Sequence, residues 1–310
     1  MDKIRIAYSS PAAGTAPVWT ACEAGYFEAL GLDVEPILIR GSTAITKAME
    51  AGEVDLANYA APAPVLANVD RGLDTVVILG AMNTLTQSLG GRPGIDTLEK
   101  LRGGTIGINN KTDVNYWLLR AVFPILGFEE EKDVHIKIIP RAEGREWMAD
   151  HGVDCLILHV PAPDDAAKDG WTVLADLFAM KIPFQLSCIA GRRSWIEKNR
   201  DLVRRYIRGH VEGLIRFDGD SDFAVKVLGK WGASQDVAIN TKIHHHALEL
   251  FSIRPFPTVE AIQPILNAMK GVVPGAETAN AADLIDRSFI EELDAEGYLD
   301  ALAKQHGLAT

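Results

Sequence analysis

The sequence predicts an α/β protein of two lobes, each a mostly parallel sheet flanked by helices, with a cleft and a two-strand hinge between them. Three observations carry this. The chain has 310 residues, above the roughly 250–300 at which a single core stops growing. Its first half contains an internal repeat. Its strand cores are short and apolar and alternate with helix-length segments, the pattern of parallel strands covered on both faces.

The first repeat unit reads as strand Ile4–Tyr8, helix from about Ala16 to Leu30, strand Val34–Ile39, helix from about Thr43 to Glu50 and strand Val54–Tyr59. The second reads as strand Thr105–Ile108, helix from about Val114 to Leu126, strand Val134–Ile139, helix from about Gly144 to Asp150 and strand Val153–His159. The joints correspond: Ala51-Gly52-Glu53-Val54-Asp55-Leu56 answers His151-Gly152-Val153-Asp154-Cys155-Leu156. Glycine after each first helix suits a C-cap. Thr15, Ser42 and Thr112 or Asp113 stand where N-caps belong. Thr75–Met82 completes the first half, and Thr172–Asp176 and Phe184–Ala190 extend the second. Helices follow from Arg193, with apolar Leu202, Val203, Tyr206, Ile207, Val211, Leu214 and Ile215 at helical spacing.

This division places residues 1–84 and 190–310 in lobe one and 92–186 in lobe two. The hinge falls near 83–94 and 184–192, with Gly90-Gly91-Arg92-Pro93-Gly94 as a crossover loop. The helical C-terminal third is expected to fold back on lobe one.

Composition narrows the function. Hydrophobic residues are 47% and the formal net charge is −11, without a basic block, which argues against a nucleic-acid partner. No apolar run approaches the ~20 residues of a membrane span. Cys22, Cys155 and Cys188 are odd in number and lack metal-binding spacing, and read as buried small hydrophobes. His244-His245-His246 lie ~100° apart around a helix and cannot chelate one ion well. No metal or cofactor is expected. The chain opens directly on a strand with no apolar signal region. As written it would stay in the cytoplasm; with a leader removed it would be periplasmic.

In open parallel sheets ligands sit beyond the carboxyl ends of the strands. Three turns there place small hydroxyl residues before helix N-termini: Ser9 to Thr15 (with Ser10 and Gly14), Gly41-Ser42-Thr43, and Asn109 to Asp113 (with Asn110, Lys111 and Thr112). Helix N-termini favour an anionic guest. The turns Tyr59-Ala60 and His159-Val160-Pro161 follow the third strands, and Asn83 lies at the hinge. Trp19, Tyr116, Trp117 and Phe184 are candidates for an aromatic wall, with core packing the stronger reading for at least one tryptophan. His159, Asp113 and Tyr59 are the residues an acid–base enzyme would use. None of the common nucleophile, phosphate-loop, dinucleotide or zinc motifs occurs.

The runs Ala24-Gly25-Tyr26-Phe27-Glu28-Ala29-Leu30-Gly31-Leu32-Asp33-Val34, Ala48 to Ala57 and Leu98 to Gly107 resemble type II periplasmic binding proteins. The resemblance is closest to the alkanesulfonate, nitrate, taurine and thiamine-pyrimidine-precursor group. It implies a solute-binding protein for a small organic ligand, anionic by preference and with an aromatic body admitted, that closes by hinge motion and serves an ABC-type importer permease. The same fold includes cytosolic lyases, which makes a decarboxylase- or desulfinase-like enzyme the alternative. Thr20 to Gly25 resembles the aryl-sulfinate desulfinases, but the loop that carries their cysteine nucleophile here reads Ser9-Ser10-Pro11-Ala12.

Overall fold

A computed structural model describes residues 1–139, 151–159 and 166–308. The strands are β1 (Asp2–Tyr8), β2 (Leu32–Leu38), β3 (Leu56–Tyr59), β4 (Thr75–Thr84), β5 (Ser88–Gly91), β6 (Thr105–Ile108), β7 (His135–Ile138), β8 (Cys155–Leu158), β9 (Thr172–Asp176) and β10 (Pro183–Arg192). They form two five-stranded sheets, ordered β2-β1-β3-β10-β4 and β7-β6-β8-β5-β9. In each, the first three strands in that order are parallel and the other joints antiparallel. The sheets are therefore mixed, half parallel and half antiparallel. The repeat accounts for the parallel half. The antiparallel half comes from β4, β5, β9 and β10, which lie outside it. The chain passes from one sheet to the other at residues 85–87 and returns at 177–182. Gly90 and Gly91 thus lie within β5 rather than in a crossover loop.

The repeated Val-Asp joints have a structural explanation. Asp55 accepts the Arg5 backbone N–H at 2.8 Å and binds the Arg5 guanidinium at 2.8 and 3.1 Å. Asp154 accepts the Thr105 N–H at 2.8 Å and the Arg92 Nε–H at 2.9 Å. Each carboxylate ties its strand to the first strand of its own unit, and each neutralises one arginine.

The described helices are α1 (Ala16–Glu23), α2 (Tyr26–Ala29), α3 (Ser42–Glu50), α4 (Pro62–Arg71), α5 (Val114–Leu126), α6 (Arg193–Lys198), α7 (Arg200–Gly219), α8 (Ser221–Lys230), α9 (Val237–Leu248), α10 (Val259–Met269), α11 (Ser288–Ala295) and α12 (Tyr298–Gln305). The helix expected over 16–30 is broken because Gly25 takes a left-handed φ of 72°. The helix expected over 144–150 lies outside the described residues. Asp113 caps α5 by accepting the Val114 N–H at 2.7 Å. Thr15 and Ser42 cap nothing with their side chains: Thr15 is the helical-φ residue before α1, and Ser42 is already inside α3, behind Gly41.

Helix α1 is buried along its first six residues, as its run of apolar residues demands. It lies against α7 so closely that a β-carbon on Gly213 would sit 2.2 Å from the Pro17 carbonyl oxygen. The C-terminal helices reach α5 as well as the first sheet. Helix α10 packs on α4, β10 and also α5, and Arg120 of α5 donates to the Ala268 carbonyl at 2.6 Å.

Candidate functional site

A cavity of about 580 Å³ opens at the carboxyl ends of β1 and β3. Its floor is the Ser9–Thr15 turn with Asn58, Tyr59 and Ala60 after β3, and Ser187 of β10. Thr86 and Gln87 of the outgoing crossover form one side, and Val114 and His159 reach it from the second sheet. The opposite wall is apolar and comes from the C-terminal third: Ala233, Ile239, Ile243, Ala247 and Leu250, with Ser234 and His246.

The floor is held by a short hydrogen-bond chain. Ser187 Oγ donates to the Gly14 carbonyl at 2.9 Å. Asn58 Nδ2 donates to Ser187 Oγ at 3.2 Å and to the Cys188 carbonyl at 3.1 Å. A β-carbon on Gly14 would sit 2.9 Å from Ser187 Oγ, so glycine is what lets the turn lie on β10. Thr15 Oγ1 donates to the Ser10 carbonyl at 3.4 Å and closes the turn on itself.

Of the residues singled out in the sequence, Ser10, Gly14, Thr15, Tyr59, Ala60 and His159 are brought together around this cavity. The others lie elsewhere. Trp19 is fully buried, edge-on to Tyr8 at 5.6 Å and stacked on Trp231 at 5.7 Å. Phe184 and Trp117 belong to the core. Tyr116 contacts Trp117 at 4.9 Å, and Lys111 and Arg120 lie over its ring near Glu130. Asn83 Nδ2 donates to the Phe256 carbonyl at 3.0 Å. Asn110 accepts from the backbone and hydroxyl of Thr112. Asp113 is committed to capping α5. Ser42 lies in the first turn of α3, and Thr43 Oγ1 donates to Thr112 Oγ1 at 3.3 Å. That bond joins the first turn of α3, beside the first sheet, to the turn after β6 of the second.

Sequence reasoning missed Asn58, Gln87, Ser187 and the whole α9 wall. Asn58 is a polar residue inside the buried run Leu56–Tyr59, and Ile239 and Ile243 share a helix face, but that spacing does not say what the face meets.

The chemistry of the lining is mild. Among its described residues there is no Lys, Arg, Asp or Glu. Burial pushes the Tyr59 hydroxyl well above the usual phenol range. It raises the Cys22 thiol to about 12 and lifts Cys155 and Cys188 as well, so none of the three is a thiolate nucleophile at neutral pH. The three consecutive histidines point apart. His244 is buried against the Phe217 carbonyl at 2.8 Å, His245 is exposed, and His246 meets the Phe178 ring at 5.2 Å beside the cavity. Burial lowers the pKa of His246 and favours its neutral form. Among the described residues no His, Cys, Asp and Glu cluster could hold a metal.

Two sheets with a cavity at their carboxyl edges, entered by turns from both, define a protein of the type II periplasmic-binding-protein fold. Residues 13–215 match the family described as NMT1/THI5 like, and the chain belongs to that family. No protein of curated function matches the sequence. Several solved structures share the fold. The periplasmic aliphatic sulphonate binding protein SsuA from Escherichia coli is 16% identical, with a TM-score of 0.71 over 92% of this chain and 99% of that one. A ligand-binding component of an ABC-type import system from Staphylococcus aureus, solved with zinc bound, is 14% identical, with a TM-score of 0.72 over 94% and 99%. The desulfurization enzyme DSZB is 14% identical, with a TM-score of 0.66 over 96% and 100%.

Proposed function

We propose that the protein is a solute-binding protein for a small organic molecule, serving an ABC-type importer on the periplasmic side of the membrane. The observation that carries this is the cavity itself. At about 580 Å³ it falls within the range of small-molecule sites, roughly 300–1,000 Å³. Its walls come from both sheets, and the chain crosses between those sheets only twice among the described residues.

The bodies that would move about these crossovers are the two sheets with their flanking helices; β5 from Ser88 belongs to the second and β10 from Pro183 to the first, which shifts the boundaries from the expected 92–186. A ligand that touches both walls binds the closed arrangement better than the open one, and that difference in affinity drives closure. The Thr43–Thr112 contact between the two halves is then a bond of the closed state. An anionic head group, expected from the helix N-termini, would have to rest on backbone N–H groups of the Ser9–Thr15 turn, since no lysine or arginine occurs among the described lining residues. An apolar body suits the α9 wall.

The experiment is a thermal-shift screen of small organic acids, amides and heterocycles, followed by small-angle scattering on each stabilising compound. Recovery of the bound compound unchanged, with a smaller radius of gyration in its presence, is the expected result. A compound returned chemically altered, with loss of turnover in His159→Ala, would replace the receptor with an enzyme.

A further inference from the structure

We propose that the seam between α5 and α10 is the fixed axis on which the second sheet turns, and that Arg120 is the positioning residue that pins it. This rests on the closure reading above and adds a third connection to the two crossovers.

The seam is built into the core. Helix α10 packs on β10 and α4, beside the first sheet, and on α5, beside the second. A single apolar cluster takes in Ala57 and Ala190 of the first sheet, Ile265 and Leu266 of α10, Leu119 of α5 and Ile106 of the second sheet. All six side chains are fully buried. Parting α5 from α10 would carry water into that cluster, which the hydrophobic effect opposes.

Arg120 fastens the same seam. Its Nε–H donates to the Ala268 carbonyl at 2.6 Å, and Nη2 donates to the Lys270 carbonyl at 3.2 Å. Helix α10 ends at Met269, so the guanidinium sits at its C-terminal end, where carbonyls lack helical partners and a cation is favoured. On its other side Arg120 Nη1 donates to Glu130 at 2.6 Å. That carboxylate also accepts from the Tyr116 hydroxyl at 3.4 Å and lies 3.5 Å from Lys111 Nζ. The planar fork of Arg120 is therefore held between fixed acceptors on two elements. The Arg120 and Glu130 side chains are only 21% and 12% exposed, so solvent screens the pair weakly.

The Thr43–Thr112 contact is lighter. It is one hydrogen bond between two neutral hydroxyls, exposed to water, at 3.3 Å, and water replaces such a bond at little cost. Of the two contacts it is the one that yields first. Helix α5 then acts as a lever. Val114, in its first turn, lines the cavity, and Arg120 lies six residues further along, about 9 Å at the helical rise. Turning about Arg120 moves Val114 relative to the first sheet while the seam keeps its contacts.

Pairs of spin labels test this, each in a Cys22→Ala background, because Cys22 is the one cysteine that is not buried. Lys47→Cys with Ile138→Cys reads the distance from α3 to β7, between the two halves; Ile125→Cys with Val259→Cys reads the seam, and all four positions are exposed. Thr112→Val removes the exposed bond. It should lengthen the first distance by more than about 2 Å, the scale of a domain rearrangement, and leave the second unchanged. Arg120→Met should broaden the second distance and shift the first. Arg120→Lys, which keeps the charge without the fork, should broaden it as well. Melting temperature falls for any lost hydrogen bond, whereas these distances move only if the axis loosens. A seam distance that changes together with the first in Thr112→Val overturns the axis and leaves closure standing. Two distances that both stay fixed in Thr112→Val overturn the axis and closure together. A seam distance that is unchanged in Arg120→Met overturns the role given to Arg120.

Discussion

His210 offers a test of the core that supports the site. It lies on α7, fully buried, with Nδ1 3.4 Å from the Tyr206 hydroxyl and Nε2 without a partner. Burial depresses its pKa from 6.5 to about 3. The native state therefore stays neutral at pH values where the unfolded chain takes up a proton. Above pH 6.5 the group contributes nothing to pH dependence. As the pH falls from 6.5 towards 3, stability is lost, because the unfolded state binds more protons. At ~1.4 kcal/mol per tenfold difference in proton affinity, the whole effect is about 5 kcal/mol, of which about 2 kcal/mol is lost by pH 5. Urea unfolding followed by circular dichroism at pH 7.5 and pH 5.0, on the wild type and His210→Gln, isolates it. His244, His246 and His306 are also pushed down by burial, but they remain in both proteins and cancel. The wild type should lose about 2 kcal/mol more than the variant over this interval. Parallel losses in the two proteins would refute the claim that this imidazole is held neutral.

Gly213→Ala should lower stability by about 1–3 kcal/mol, since the helical gain of ~1 kcal/mol is outweighed by overpacking against the Pro17 carbonyl; a raised melting temperature would contradict the α1–α7 contact. Asp55→Ala and Asp154→Ala should each cost about 2–4 kcal/mol, each removing a carboxylate that holds a backbone N–H and an arginine, and the two losses should be similar because the residues do the same work in the two units; denaturant midpoints decide. Gly14→Val should weaken binding of any cavity ligand by about tenfold or more, because the turn must lift from Ser187; affinity equal to wild type would show that the turn is not part of the site.

How much was legible follows from what makes each element. The described strand cores of the two βαβαβ units were readable because they obey their own period, and α5 starts at Val114 and ends at Leu126, as its cap and Gly127 imply. The break at Gly25 was harder to see, since Ala24-Gly25-Tyr26 continues an apolar run and only the positive φ of glycine ends it. The turns of the site were found by topology, but topology cannot say which side chains point inwards. Thr112 and Asp113 stand at the right end of the right strand, but Asp113 is spent on its own helix and Thr112 on Asn110 and Thr43. The α9 wall escaped because it comes from a segment about 180 residues beyond Tyr59 in sequence, and no local pattern records that meeting.

One feature of the first sheet bears on how the chain acquires its shape. Strand β10 pairs with both β3 and β4, yet it follows them by about a hundred residues. The first sheet cannot close until the entire second sheet has been synthesised and the chain has come back. A ribosome-bound fragment ending before residue 183 would hold β3 and β4 with an open slot between them. Such long-range pairing slows folding, so the first sheet should become resistant to protease after the second during synthesis, although most of its residues emerge first.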